Sequence, residues 1–108
     1  MNTITKITKG AGLLSQVTRT ITHCEDASGT GFQGYVKTSY QDLVQMFGPS
    51  DGRSGDGKVT NGWSLKIDGV IVTIYDYKED LNTGKDEEWH VGGKGKLALE
   101  LAESVICL

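Results

Sequence analysis

The strongest hydrophobic pattern in the chain runs from Trp63 to Tyr77, WSLKIDGVIVTIYDY. Trp63, Leu65 and Ile67 alternate with Ser64 and Lys66, the period of a half-buried strand. Asp68-Gly69 follows, a dipeptide that accepts the positive φ values of a type I′ turn. Beyond it both sides are apolar: Val70, Val72 and Ile74 share one face, and Ile71, Thr73, Tyr75 and Tyr77 share the other. The pattern predicts a hairpin whose second strand is covered on both faces or has one face at an interface.

The rest of the chain is read around that hairpin. Thr-rich residues 1–24 favour extended chain, because β-branching restricts χ1 in a helical turn. They predict a weak edge strand at Thr3–Ile7 and a strand across 15–24. Phe32–Lys37 is a short strand with Phe32, Gly34 and Val36 on one face. Ser39–Phe47 is a helix: Tyr40, Leu43, Val44 and Phe47 form one apolar stripe, and Gly48-Pro49 stops it. Its start fits a capping box at Thr38/Gln41 or, one residue on, Ser39/Asp42. Glu88–Val91 is a strand that Gly92–Gly95 breaks. Lys96–Cys107 is a second helix, with Leu97, Leu101 and Val105 stacked and Ala98 and Ala102 widening the stripe.

The order β-β-β-α-β-β-β-α predicts one α+β domain spanning 1–108. Its antiparallel sheet has about five to six strands, with two short helices packed on one face. Two narrow helical stripes cover only that face. The face of Ile71, Thr73, Tyr75 and Tyr77 must then pack on the N-terminal strands or on another copy, so these four residues are a candidate oligomer interface.

Composition changes this picture little. Glycine is abundant, 15 of 108 residues, with one proline; that pairing signals tight turns and close backbone approaches. The net charge of −3 argues against non-specific nucleic-acid binding, which needs a basic surface. No stretch has the length of a membrane span or a signal-peptide apolar region. Cys24 and Cys107 lack metal-ligand spacing and suggest free thiols. A cytoplasmic protein is expected, with no cofactor and no metal.

Three stretches are candidates for chemistry. Gly52–Lys58 matches G-x-x-x-x-G-K, but it follows a helix and opens a strand, with Val59 where a phosphate loop needs Ser or Thr; a solvent loop is the better reading. His90–Lys96 places three glycines and two lysines before a helix, where unpaired N–H groups attract anions. The plainer reading there is a flexible connection with solvated lysines. Gly29–Lys37, GTGFQGYVK, surrounds aromatics with glycine and suits a flat ligand or a partner backbone; a β-bulge beside a core strand is the equal alternative. His23 and Cys24 are adjacent and point to opposite faces of a strand, so they make no dyad. Cys24 with His90 stays open, and the carboxylates Glu25–Asp26 and Asp86–Glu88 read as solvated loops.

GTGFQGYVKTSYQDLVQMFGPS, the hairpin W-x-L-x-I-x-G-x-I-V-T-I-Y-D-Y-K and the strand end E-W-H-V-G-G together resemble a group of small uncharacterised bacteriophage proteins. The likeness covers about residues 29–93 and carries no biochemical activity. It implies a host bacterial cell and stoichiometric binding. The helix, Gly-Pro and Trp-led strands are also similar to small lipoprotein and inhibitor modules, in fold alone.

The expectation is therefore a non-catalytic binding protein that inhibits a host protein or sequesters a small anionic, nucleotide-type ligand. In the second case Gly92, Gly93, Lys94 and Lys96 contact phosphate, while Phe32, Tyr35 or Trp89 stacks on a base, with His90 beside them. The alternative is a self-associating assembly protein, a homodimer or higher oligomer. A small hydrolase ranks last.

Overall fold

The structure is a computed structural model that describes residues 2–10, 13–24, 27–51 and 57–106. The elements in chain order are β1 (Asn2–Gly10), β2 (Leu13–His23), β3 (Gly31–Thr38), α1 (Tyr40–Phe47), β4 (Gly62–Ile67), β5 (Val70–Tyr75), β6 (Glu87–Gly93) and α2 (Lys96–Ile106). This is the expected order. The strands form one sheet in the order β1-β2-β4-β5-β6-β3, and every pairing is antiparallel.

One face of the sheet carries the core. Ile21, Val36, Trp63, Leu65, Ile67, Val72, Ile74, Trp89 and Val91 point to it, and both helices bury side chains in the same cluster. The two indoles meet edge to face, 5.6 Å between centroids. They also hold the two ends of α1. Trp89 Nε1 donates to the Thr38 carbonyl at 3.0 Å and Trp63 Nε1 to the Gly48 carbonyl at 2.8 Å. Each indole thus finds the partner that a buried N–H requires.

Local chemistry explains most element ends. Ser39 is the N-cap of α1 and accepts from the Asp42 amide at 3.1 Å, so the later of the two capping registers is used. Asp68 (φ 49°) and Gly69 (φ 82°) make the hairpin turn as expected. β5 ends at Tyr75 because Asp76 leaves the ladder. Its fully buried carboxylate accepts from the amides of Thr60, Asn61 and Leu81 and from the Asn61 side chain. One residue thereby fastens both loops at that end of the sheet.

Four expectations are corrected. Gly92 and Gly93 do not break β6: Gly92 pairs with both Phe32 and Thr73, and Gly93 with both Gly31 and Val72. Leu97 is exposed, and the buried stripe of α2 is Ala98, Leu101, Ala102 and Val105. Small residues there let the helix lie close to the sheet. Phe32 does not share a face with Gly34 and Val36. The register of β3 against β6 shifts between Phe32 and Gly34, leaving Gln33 as the extra residue of a bulge and turning Phe32 to the other side.

The fourth concerns the N-terminal strands. β2 joins β4 edge to edge, so this pair extends the sheet and does not cover its second face. β2 pairs with β4 only over Ile21–His23, whereas β1 and β2 pair from Asn2↔Ile21 to Gly10↔Leu13. The ribbon therefore projects from the body by roughly 25 Å at about 3.3 Å per residue. Its root is fixed by Arg19, which donates to Ser104 Oγ of α2 and forms an ion pair with Asp68 at 3.1 Å.

Candidate functional site: the open face of the sheet

Among the described residues, no secondary-structure element covers the face opposite the helices. Alternation puts Thr73 and Tyr75 of β5 there, because Val72 and Ile74 are buried on the core side. The same rule puts His90 there, between Trp89 and Val91, and Tyr35, beside Val36. Register brings them together, since His90 lies opposite Tyr75 on one side and Tyr35 on the other. The bulge at Gln33 adds Phe32. Tyr77, just past the end of β5, folds against the group.

The result is a ring of aromatic side chains around His90. Tyr75 stacks on it at 5.3 Å and 26°. Tyr35 meets it edge-on at 4.9 Å, and Phe32 and Tyr77 lie tilted to it at 5.3 Å and 5.7 Å. Phe32 and Tyr35 are each 52% exposed and Tyr77 39%, although Phe32 and Tyr35 also pack on each other. The five residues line a shallow depression of about 260 Å³. Lys78, in a left-handed conformation, places Nζ 5.4 Å over the Tyr77 ring.

The electrostatics are those of a mostly uncharged patch. Burial pushes the Tyr75 phenol above its ordinary range, and the neighbouring Tyr77 and Tyr35 phenols add to the rise. His90 Nδ1 is buried and has no hydrogen-bond partner among the described residues, and packing against rings holds its imidazole in place.

A second, larger depression of about 510 Å³ adjoins the patch through Tyr75 and is lined by Thr30, Asp51, Ser64 and Thr73 among others. Asp51 organises its rim. Its carboxylate meets His23 Nε2 at 2.9 Å and accepts from the Ser64 amide at 2.7 Å.

The residues expected to bind ligand divide sharply. Phe32, Tyr35 and His90 come together, and they join Tyr75 and Tyr77 from the expected oligomer interface. The two expected sites are one patch, with Thr73 continuing it and Ile71 half-buried further along β5. Trp89 is excluded as a stacking platform, being fully buried on the core side. Gly92 and Gly93 are excluded as a phosphate cradle because both lie buried within the β6 ladder. They are glycine for lack of room. A Cβ on Gly92 would collide with Thr73 Oγ1, and one on Gly93 with the Ala98 methyl. Lys94 and Lys96 are exposed; Lys94 reaches back beside Gly29.

Other candidates find no support. Five residues of the G-x-x-x-x-G-K stretch, 52–56, lie outside the described residues, as do Glu25, Asp26 and Cys107; Gly57 and Lys58 are exposed. Cys24 is buried. Its amide donates to Ser64 of β4, so Cys24 continues β2, three strand positions from β6; Cys24 and His90 stand roughly 14 Å apart or more and form no dyad. Among the described residues, no three of His, Cys, Asp and Glu gather as a metal site. Among them also, no helix is long and apolar enough to cross a membrane.

No family profile, curated protein or solved structure matches this chain.

Proposed function

We propose that the chain is a non-catalytic binding module that works by occupying a protein surface through the open face of its sheet. The observation that carries this reading is the aromatic ring around His90, with Phe32 and Tyr35 half exposed on a face that no element covers among the described residues. Exposed aromatics in a contiguous patch are the usual anchors of protein interfaces. The depression the five rings line, about 260 Å³, is smaller than the roughly 300–1,000 Å³ of small-molecule pockets, and only the adjoining depression of about 510 Å³ falls within that range. The resemblance to small bacteriophage proteins adds the setting: a cytoplasmic partner in a bacterial host, bound stoichiometrically and inhibited by occlusion.

Nucleotide sequestration is the weaker reading. Its phosphate-binding half rested on Gly92 and Gly93, whose backbone is committed to the sheet, and its base-stacking half partly on Trp89. Thermal unfolding with a panel of nucleotides separates the two. Sequestration demands a stabilisation of about 2.7 kcal/mol at a hundredfold excess over Kd. The protein-binding reading predicts no shift, together with retention of a discrete protein from bacterial lysate by the immobilised chain. A nucleotide-dependent rise without protein capture would replace it. Self-association remains the alternative, favoured by the projecting ribbon of β1 and β2.

A further inference from the structure

The depression of about 260 Å³ on the open face is walled by rings alone: Phe32, Tyr35, Tyr75, Tyr77 and His90. Among the described residues, no lysine, arginine, aspartate or glutamate lines it. Such walls offer a ligand apolar area and the negative faces of π systems. The rings are not parallel. Phe32 and Tyr35 stand at 65° to each other, and at 58° and 66° to the imidazole, so one inserted group meets rings in several orientations.

One ring of the group already carries a cation. Lys78 Nζ sits 5.4 Å over the Tyr77 ring, on a left-handed backbone (φ 59°) whose amide donates to the Lys58 carbonyl at 2.7 Å. Among the described residues, no cation stands over Phe32, Tyr35 or Tyr75, and Phe32 and Tyr35 are half exposed. The charged residues nearest in the same strands offset each other. Lys37 lies opposite Glu88 in the β3–β6 register, and alternation puts both on the side of Tyr35 and His90. Beyond them the balance is acidic. The connection from Tyr77 to β6 holds Glu79, Asp80, Asp86, Glu87 and Glu88 against Lys78 and Lys85, and residues 25–108 hold 14 acidic and 8 basic residues. That excess draws a cationic group towards the face.

We infer that the depression takes an arginine side chain of the protein partner, its guanidinium lodged among Phe32, Tyr35, Tyr75 and Tyr77. The inference rests on reading the open face as a protein-binding surface and supplies the chemistry of what binds there. Arginine fits better than lysine. No carboxylate lines the depression to replace the water an ammonium would lose, whereas a guanidinium is weakly hydrated and stacks flat on aromatic faces. Three phenol oxygens offer acceptors to its N–H groups. Tyrosine and arginine are both enriched at the anchor points of protein interfaces.

NMR titration of the isotope-labelled full chain with three probes tests it, followed at the amides of Tyr35, Tyr75 and His90. Nα-acetyl-argininamide should shift these signals. Nα-acetyl-citrullinamide, whose urea keeps the shape without the charge, should bind more weakly by roughly three- to tenfold, the worth of one cation–π contact. Nα-acetyl-lysinamide should also bind more weakly than the arginine probe. In Phe32→Ala/Tyr35→Ala, with the rest of the spectrum unchanged, the arginine response at Tyr75 and His90 should disappear. Equal binding of the arginine and citrulline probes would overturn the inference, as would equal binding of arginine and lysine, or an arginine response that survives in the double variant. If the arginine probe leaves the face unshifted while the double variant still loses its lysate partner, the arginine assignment fails and the open-face reading stands. If the double variant keeps both the probe response and the partner, both fail.

Discussion

Tyr75 and Asp76 are neighbours with opposite tasks. Tyr75 faces the open side and Asp76 turns inward. The Tyr75 phenol is raised mainly by burial, so the folded state favours its protonated form. The stability this gives is present below the ordinary tyrosine value of about 10 and is lost as pH rises through the raised folded value. Absorbance titration of the phenols should show one tyrosine ionising after the others, absent in Tyr75→Phe, and that variant should lose less stability under alkaline conditions. Asp76→Ala removes the acceptor of three backbone amides and one side-chain amide. Each buried donor left unpaired costs about 1–3 kcal/mol. Chemical denaturation should therefore show a loss of roughly 3 kcal/mol or more; a loss below about 1 kcal/mol would mean water replaces the carboxylate.

Local rules made most of the elements legible at the scale of single strands and helices. Period-two alternation with Asp68-Gly69 located the central hairpin, and the stripe before Gly48-Pro49 located α1. Ser39→Ala should cost about 1 kcal/mol, the typical worth of an N-cap, measured by the shift in denaturation midpoint at constant slope. The sequence pattern was weakest where packing overrides local preference. Gly92 and Gly93 look like a strand breaker because glycine disfavours strands in general; here Thr73 and Ala98 leave no room for a side chain. Gly93→Ala should destabilise by about 1–3 kcal/mol through overpacking, and a neutral outcome would show that α2 can shift outward. Phe32 was misplaced for a related reason. Strict alternation sends it to the core, and one extra residue in the ladder reverses it. The Gly31–Gly34 spacing signalled that bulge without deciding it. Leu97 was misplaced because a helical stripe read from leucines ignores how closely Ala98 and Ala102 draw the helix to the sheet.

Across the whole molecule, two features expected separately prove to be one. The strand face left over by the helices and the glycine-flanked aromatics of β3 meet around His90, joined by β6 lying between β5 and β3. That strand order joins β3 to β6 across the chain and is invisible to local pattern, which is why the two sites looked distinct. The projecting ribbon was equally hidden: a Thr-rich strand reads the same whether it covers a sheet, extends it or leaves it. The central claim is that the open aromatic face is the working surface. Capture of protein partners, including a differently tagged copy of the chain, by immobilised wild type, Phe32→Ala/Tyr35→Ala and the helix-side control Glu100→Ala tests it. The wild type and the control should retain the same partner, and the aromatic variant, equally folded by circular dichroism, should lose it; equal retention by all three would show that the open face is not the binding surface.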